Sequence, residues 1–322
     1  MKFLLSVVVA FFTLISYSYA EIKFDRPITI VVSFPPGGDT DVIARSIALK
    51  LSDRIKQPVT VQNKSGASGV IGNQLVADSK PDGTTLLLSP STIVTSQLIM
   101  GDVVKYDVRK DFTPIIEVSK DTVLFIAVNG SLGIRNHQEL LKAIQQGRVK
   151  SYATPGNGSP MNMVGEYYKK VTGADIVQIP YRGNAPAVTA LLSGEVPVMI
   201  TSALPVLPHL ADNRIVVIAA ASNNRSPFLP NVPTLEEQGL PKADFSGWFG
   251  MFGPRNMDPA LVKELNQHFN EILKDNEVRE RMLSLAHTPA GGTSAQMNRL
   301  LHDLYKKFDS NIKQFDIKVN AQ

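Results

Sequence analysis

Short apolar runs rich in Ile, Val and Leu alternate along this chain with stretches in which apolar residues recur every three or four positions. In the first half, ITIVVSF precedes DVIARSIALKLSDRI, VTVQN precedes GVIGNQLVADS, and TTLLLSP precedes TIVTSQLIM. A short β-branched run predicts a buried strand and a helical period predicts a crossover helix, so the alternation predicts a parallel sheet. The passage FTPIIEVSKDTVLFIAVN (112–129) has no helix of its own and reads as a crossing to a second domain. There the alternation resumes: helix HQELLKAIQQ, strand VKSYATP, helix MNMVGEYYKKVTG, strand IVQIPYRG, helix APAVTALLSGE, strand VPVMITS, helix PVLPHLADN and strand IVVIAAAS. A Pro- and Asn-rich stretch then leads to the strand WFGMFGP (248–254), read as the return crossing.

The remainder is helical, DPALVKELNQHFNEILKDNEVRERMLSL and SAQMNRLLHDLYKKFDSNIKQ, broken at Gly291 and Gly292. With no strands of their own, these helices are expected to fold back on the first domain. The pattern predicts an α/β protein of two lobes, two open α/β sheets joined by two crossing strands. Lobe 1 is expected at 21–122 plus 250–322 and lobe 2 at 123–249. Trp248, the one tryptophan, opens the return crossing and is expected to sense hinge motion.

The N-terminus adds a compartment. Lys2, the apolar run Phe3 to Ser16 and the small-residue end Ser18-Tyr19-Ala20 read as a secretory signal peptide cleaved after Ala20, which predicts an exported, periplasmic chain. Composition removes several function classes. A net charge of +4, from 33 scattered basic and 29 acidic residues, gives no nucleic-acid footprint. The absence of cysteine excludes disulfides, thiolate metal sites and a Cys nucleophile. No nucleophile, phosphate-loop, zinc-protease or dinucleotide motif is present, and the five separated histidines read as surface or packing residues. No enzyme activity, metal or cofactor is expected, and the chain is expected to be a monomer.

The candidate chemistry lies in loops at strand ends. In SFPPGGDTD (33–41), Pro35 and Pro36 stop a strand, Gly37 and Gly38 permit close approach to the main chain, and Asp39, Thr40 or Asp41 can cap the next helix. Such a loop is a natural seat for an anion at a helix N-terminus. The second lobe has a counterpart in TPGNGSPMN (154–162), with Ser159 as N-cap and Pro160 at the first helical position. In IPYRGNAPA (179–187), Arg182 can pair a carboxylate, Tyr181 can wall a pocket, and Gly183 and Asn184 open a helix. Ser89, Thr92, Thr201 and Ser202 are further polar candidates at strand ends. A ligand held between two hinged lobes fits this distribution.

Three blocks in order, Arg26 to Leu88, ATPGNGSPMNMVGEYYKKVTG with VQIPYRGNAPAVTALLSGEVPVMI, and RSPFLPNVPTLEEQGLP with WFGMFGP, resemble the receptors of tripartite tricarboxylate transporters, the Bug-type solute-binding proteins. The resemblance covers nearly the whole chain after the signal. It implies a type II-like Venus-flytrap fold of the periplasmic-binding-protein kind, a small carboxylate ligand, and delivery to membrane transporter subunits. It places Phe34, Pro35, Gly37, Gly38, Thr40 and Asp41 in a first-lobe pincer, and Gly156, Asn157, Gly158 and Ser159 in a second. Four positions depart from the common pattern: Asp39, where a small or neutral residue is usual, Asn162, Pro197 and Thr201. An alternative use of the same trap is a sensor module that presents its ligand to a membrane histidine kinase.

Overall fold

The computed structural model describes residues 24–317; the expected signal peptide and its expected cleavage after Ala20 lie outside them. Among the described residues eleven strands form two sheets. The first contains β1 (Ile28–Val32), β2 (Val59–Asn63), β3 (Thr85–Pro90), β4 (Phe112–Thr122), β10 (Gly247–Pro254) and β11 (Thr288–Gly291), in the order β11-β4-β10-β3-β1-β2. The second contains β5 (Phe125–Asn129), β6 (Ser151–Thr154), β7 (Val177–Pro180), β8 (Val198–Thr201) and β9 (Ile215–Ala220), in the order β7-β6-β8-β5-β9. In each sheet the βα units pair in parallel, β1 with β2 and β3, and β6 with β7 and β8. The crossing segments pair antiparallel: β10 lies between β3 and β4, and β5 between β8 and β9.

The helices are α1 (Asp39–Ile55), α2 (Val70–Ala77), α3 (Thr92–Met100), α4 (His137–Gln145), α5 (Pro160–Thr172), α6 (Asn184–Ser193), α7 (Pro259–Lys274), α8 (Asn276–Ser284) and α9 (Ser294–Gln314). Strand β1 is buried on both faces, as a central parallel strand must be. Ile28, Ile30 and Val32 meet Ile43, Ile47 and Leu51 of α1, while Val31 joins the core on the other side.

Four expectations are corrected. The chain leaves β4 at Thr122 and enters β5 at Phe125, but its return is complete at Gly247, ahead of the boundary expected at Gly250, and all of β10 belongs to the first sheet. The long C-terminal helix is two helices, because Asp275 takes an extended conformation and its carboxylate accepts the Glu277 and Val278 amides, ending α7 and starting α8. The PVLPHLADN stretch forms only a tight turn at Leu207–His209, since Pro205 and Pro208 each remove an amide donor. The C-terminal segment does own a strand: β11 pairs with β4 and carries Pro289 at the sheet edge, where a missing donor is tolerated.

Helix α9 also reaches beyond the first sheet. Its Met297, Leu301 and Phe308 are buried in the core that contains Val31, Leu87 and Phe252. Just past its end, Phe315 meets Tyr167 of α5 edge-on at 4.8 Å, and Asp316 pairs with Lys170 at 3.2 Å. The C-terminus thus straps both lobes. Trp248 is 4% exposed with its ring against Phe252 at 5.8 Å, a buried position beside the first sheet.

Candidate functional site

A cavity of about 420 Å³ opens where the carboxyl ends of the strands of both sheets meet, within the range of small-molecule sites. Its walls are largely apolar: Phe34, Pro35 and Pro36 from the first loop, Phe245 and Phe249 around the return crossing, Leu124 on the outward crossing, and Met161 from α5. Two charged residues line it, Asp39 from the first lobe and Arg182 from the second.

The first loop is organised by its own carboxylates. Gly38 is the N-cap of α1, with no side-chain cap, which corrects the expectation that Asp39, Thr40 or Asp41 takes that place. Asp41 is buried; its Oδ2 accepts the Gly37 amide at 3.0 Å and Arg45 Nε at 3.0 Å, and its Oδ1 accepts Asn63 Nδ2 at 2.9 Å. Burial would raise its pKa, but Arg45, the Gly37 amide and Asn63 together hold it below the ordinary carboxylate range. Asp41 therefore shapes the loop from behind and is not on the cavity wall. Thr40 N donates to Asp39 Oδ1 at 2.9 Å and Gly37 N to Asp41 Oδ2, so the loop amides open to another molecule include those of Gly38 and Asp39.

The other candidates divide in the same way. Phe34, Pro35, Gly37, Gly38, Asp39, Thr40, Thr92, Ser159, Arg182, Gly183, Asn184 and Ser202 line the cavity. Ser159 caps α5 as expected, accepting the Asn162 amide at 3.2 Å with Pro160 at the first helical position. Asn162 donates to Gln178 at 2.9 Å, Tyr181 donates to Glu195 at 2.9 Å, and Ser89 donates to Pro90 O at 3.1 Å, and none of these three donors lines the cavity. Thr201 is fully buried with its hydroxyl unpartnered. Gly156, Asn157 and Gly158 lie at a contact between lobes: the Ser68 hydroxyl donates to Asn157 O, and a Cβ at Gly158 would meet Met100 at 3.0 Å. Ser68 and the preceding Ala67 hold φ of 50° and 46°, left-handed conformations that cost non-glycine residues energy and here aim Ser68 across the gap.

Sequence reasoning missed two participants. Ser68 lies in SGASG, where nothing in the pattern separates it from a turn serine. His287 is 2% exposed behind Asp39, its Nε2 3.3 Å from Asp39 Oδ2 and its Nδ1 3.0 Å from Ser119 Oγ, with its ring 4.4 Å from Phe249. Ser, His and Asp stand in the order of a hydrolytic triad, but Ser119 is fully buried and absent from the cavity wall, so its hydroxyl is no nucleophile for a cavity ligand. Among the described residues no group of three or more acidic or histidine side chains is placed to hold a metal.

Comparison with known proteins agrees with this architecture. Residues 43–317 match the model of the tripartite tricarboxylate transporter family receptor. Protein BugT of Bordetella pertussis is 36% identical over 297 residues, covering 91% of this chain and 90% of BugT. Among solved structures, an R. palustris protein with adipate superposes with a TM-score of 0.84 at 29% identity, covering 91% of this chain and 98% of the other. MatC from Rhodopseudomonas palustris with bound malate gives 0.82 at 25% identity, covering 89% and 99%. With the family match, the BugT relationship and the two-sheet fold in agreement, this chain belongs to the tripartite tricarboxylate transporter receptor family.

Proposed function

We propose that this protein is an exported receptor that captures a small carboxylate between its lobes and passes it to the membrane subunits of a tripartite tricarboxylate-type transporter. The observation that carries the reading is the cavity at the facing strand ends, where the free amides of Gly38 and Asp39 and the Arg182 guanidinium can meet an anion while apolar walls hold its carbon skeleton. Adipate and malate in structural neighbours are carboxylates of this size class. The signal peptide, cleaved after Ala20, places the receptor in the periplasm in this reading, where it works as a monomer without a cofactor. Phe34, Pro35, Gly37, Gly38, Thr40, Ser159, Arg182 and Gly183 form the ligand wall, and Asp41 orders the first loop.

A thermal-shift screen of the mature chain against mono-, di- and tricarboxylates tests the reading. A carboxylate at 100 times its dissociation constant adds about 2.7 kcal/mol of stability. Calorimetry on the tightest binder should then return one site per chain. A protein that no carboxylate stabilises would overturn the proposal.

A further inference from the structure

Resting on the carboxylate-receptor reading above, the cavity's charge pattern narrows the ligand class. Among the cavity-lining residues Arg182 and Asp39 are the charged pair, one from each lobe. Arg182 forms no ion pair among the described residues, so its guanidinium is available to a ligand carboxylate. Asp39 lines the same cavity from the other lobe. Its Oδ1 accepts the Thr40 amide at 2.9 Å and the Thr40 hydroxyl at 3.4 Å, and its Oδ2 meets His287 Nε2 at 3.3 Å; a carboxylate has room to accept more hydrogen bonds than these three.

Asp39 is held in place by His287, whose Nε2 lies 3.3 Å from its Oδ2 and whose Nδ1 lies 3.0 Å from the Ser119 hydroxyl. Burial would raise its pKa, but the His287 and Thr40 contacts outweigh burial and hold it below the usual range, so it is ionised at neutral pH. A second carboxylate on a ligand near Asp39 would face an anion in an apolar enclosure, where like charges repel strongly. Two polar atoms on the same wall, Ser202 Oγ and Asn184 Oδ1, are buried without protein partners; the first can give or take a hydrogen bond and the second accepts one.

We infer that the site selects dipolar ligands, aminocarboxylates with an apolar body, whose carboxylate meets Arg182 and whose ammonium meets Asp39. Asp39 is the residue that decides this selection, and His287 with Ser119 positions it.

The test uses probe pairs that differ by one ammonium group, leucine against 4-methylpentanoate and 6-aminohexanoate against hexanoate, with adipate and malate as plain dicarboxylates. Affinities are measured at pH 7.5 for the mature chain and for Asp39→Asn and Asp39→Ser, each first shown by its melt to be folded. In the wild type the amino member of at least one pair should bind tenfold or more tighter than its partner, and tighter than either dicarboxylate. Both substitutions should erase that preference, and Asp39→Asn should improve dicarboxylate binding. Equal or tighter binding of the plain members by the wild type, or a preference that survives Asp39→Asn, would overturn this inference and leave the carboxylate reading standing. Binding of none of the probes and none of the wider carboxylate panel would overturn the carboxylate reading and this inference together.

Discussion

Adjacent glycines in the first loop give a test in which stability and binding part company. Gly38 has φ of −75° and ψ of 169°, an extended conformation open to any residue, and a Cβ there would have Pro35 O at 3.7 Å as its nearest neighbour. Gly37 has φ of +84°, with open space around the Cβ position. Gly38→Val should therefore cost at most about 1 kcal/mol, since the geometry is allowed and the unfolded chain loses freedom, against valine's poorer fit at an N-cap. Gly37→Val must hold a β-branched residue in the left-handed region, at a cost of about 1–2 kcal/mol. That corresponds to a melting temperature lowered by about 2–8 °C. Binding should fall in both. A valine at Gly38 projects beside the Gly38 and Asp39 amides, and a hydrogen bond to a charged group contributes about 1.5–3 kcal/mol. Its loss raises the dissociation constant at least about tenfold. Calorimetry with the tightest carboxylate of the screen, beside thermal melts of both variants, reads the two effects separately. Wild-type affinity in Gly38→Val would show that the loop is only a turn, and a large drop in its melting temperature would refute the geometric argument.

Further outcomes follow from other sites. Asp107 is drawn from the ordinary 3.8 to about 2: burial opposes the shift, and Arg109, through side chain and amide, with Lys110 outweighs it. A depressed carboxylate contributes stability above its unfolded pKa and loses it as pH falls through its folded one, so Asp107→Asn should cost about 1 kcal/mol at pH 7, after discounting for the exposed partners, with most of that cost gone by pH 2, in urea titrations across that range. Gly165→Ala would place a methyl group inside the Tyr152 ring, which is fully buried, and should cost about 1–3 kcal/mol or more in the same assay. Ser68→Ala removes the hydrogen bond to Asn157 O between lobes, worth about 0.5–1.5 kcal/mol, and should increase the ligand-free radius of gyration in small-angle scattering; an unchanged radius would show that the contact does not hold the lobes. Trp248, enclosed beside Phe252, should emit at short wavelength and change little on ligand addition, and a large ligand-dependent shift would contradict its place in a rigid core.

The βα alternation was legible because the inner strands β1, β3, β5 and β8 are buried on both faces and the crossover helices repeat at helical spacing, so local pattern and global position coincide. The loops at 33–41 and 154–162 were legible for a similar reason: Pro, Gly and a capping hydroxyl mark the junction of strand and helix. What escaped was set by pairing at long range. Strand β11 contains Pro289 and ends at Gly291, with no strand pattern of its own, and exists because β4 offers it an edge. His287 became a partner of Asp39 only because that edge pairing brings residues 248 positions apart together. The break at Asp275 was hidden by continuous helical periodicity on both sides, since an aspartate inside a helix and one between helices look alike in sequence. Asp41 read as a ligand contact because it sits in the motif, yet its side chain turns back toward Arg45 and Asn63.

The strap formed by α9 and the residues after it sets the order in which the molecule can be completed. The first sheet waits for β10 and β11, and the Tyr167 face of α5 in the second lobe waits for Phe315 and Ile317. A chain emerging from its N-terminus therefore holds two unfinished cores until residues 294–317 have been made, and contacts this distant in sequence close slowly. In the exported reading proposed above, that delay would work in the receptor's favour, because a chain still lacking its last helix can complete neither core and so stays open until its synthesis ends.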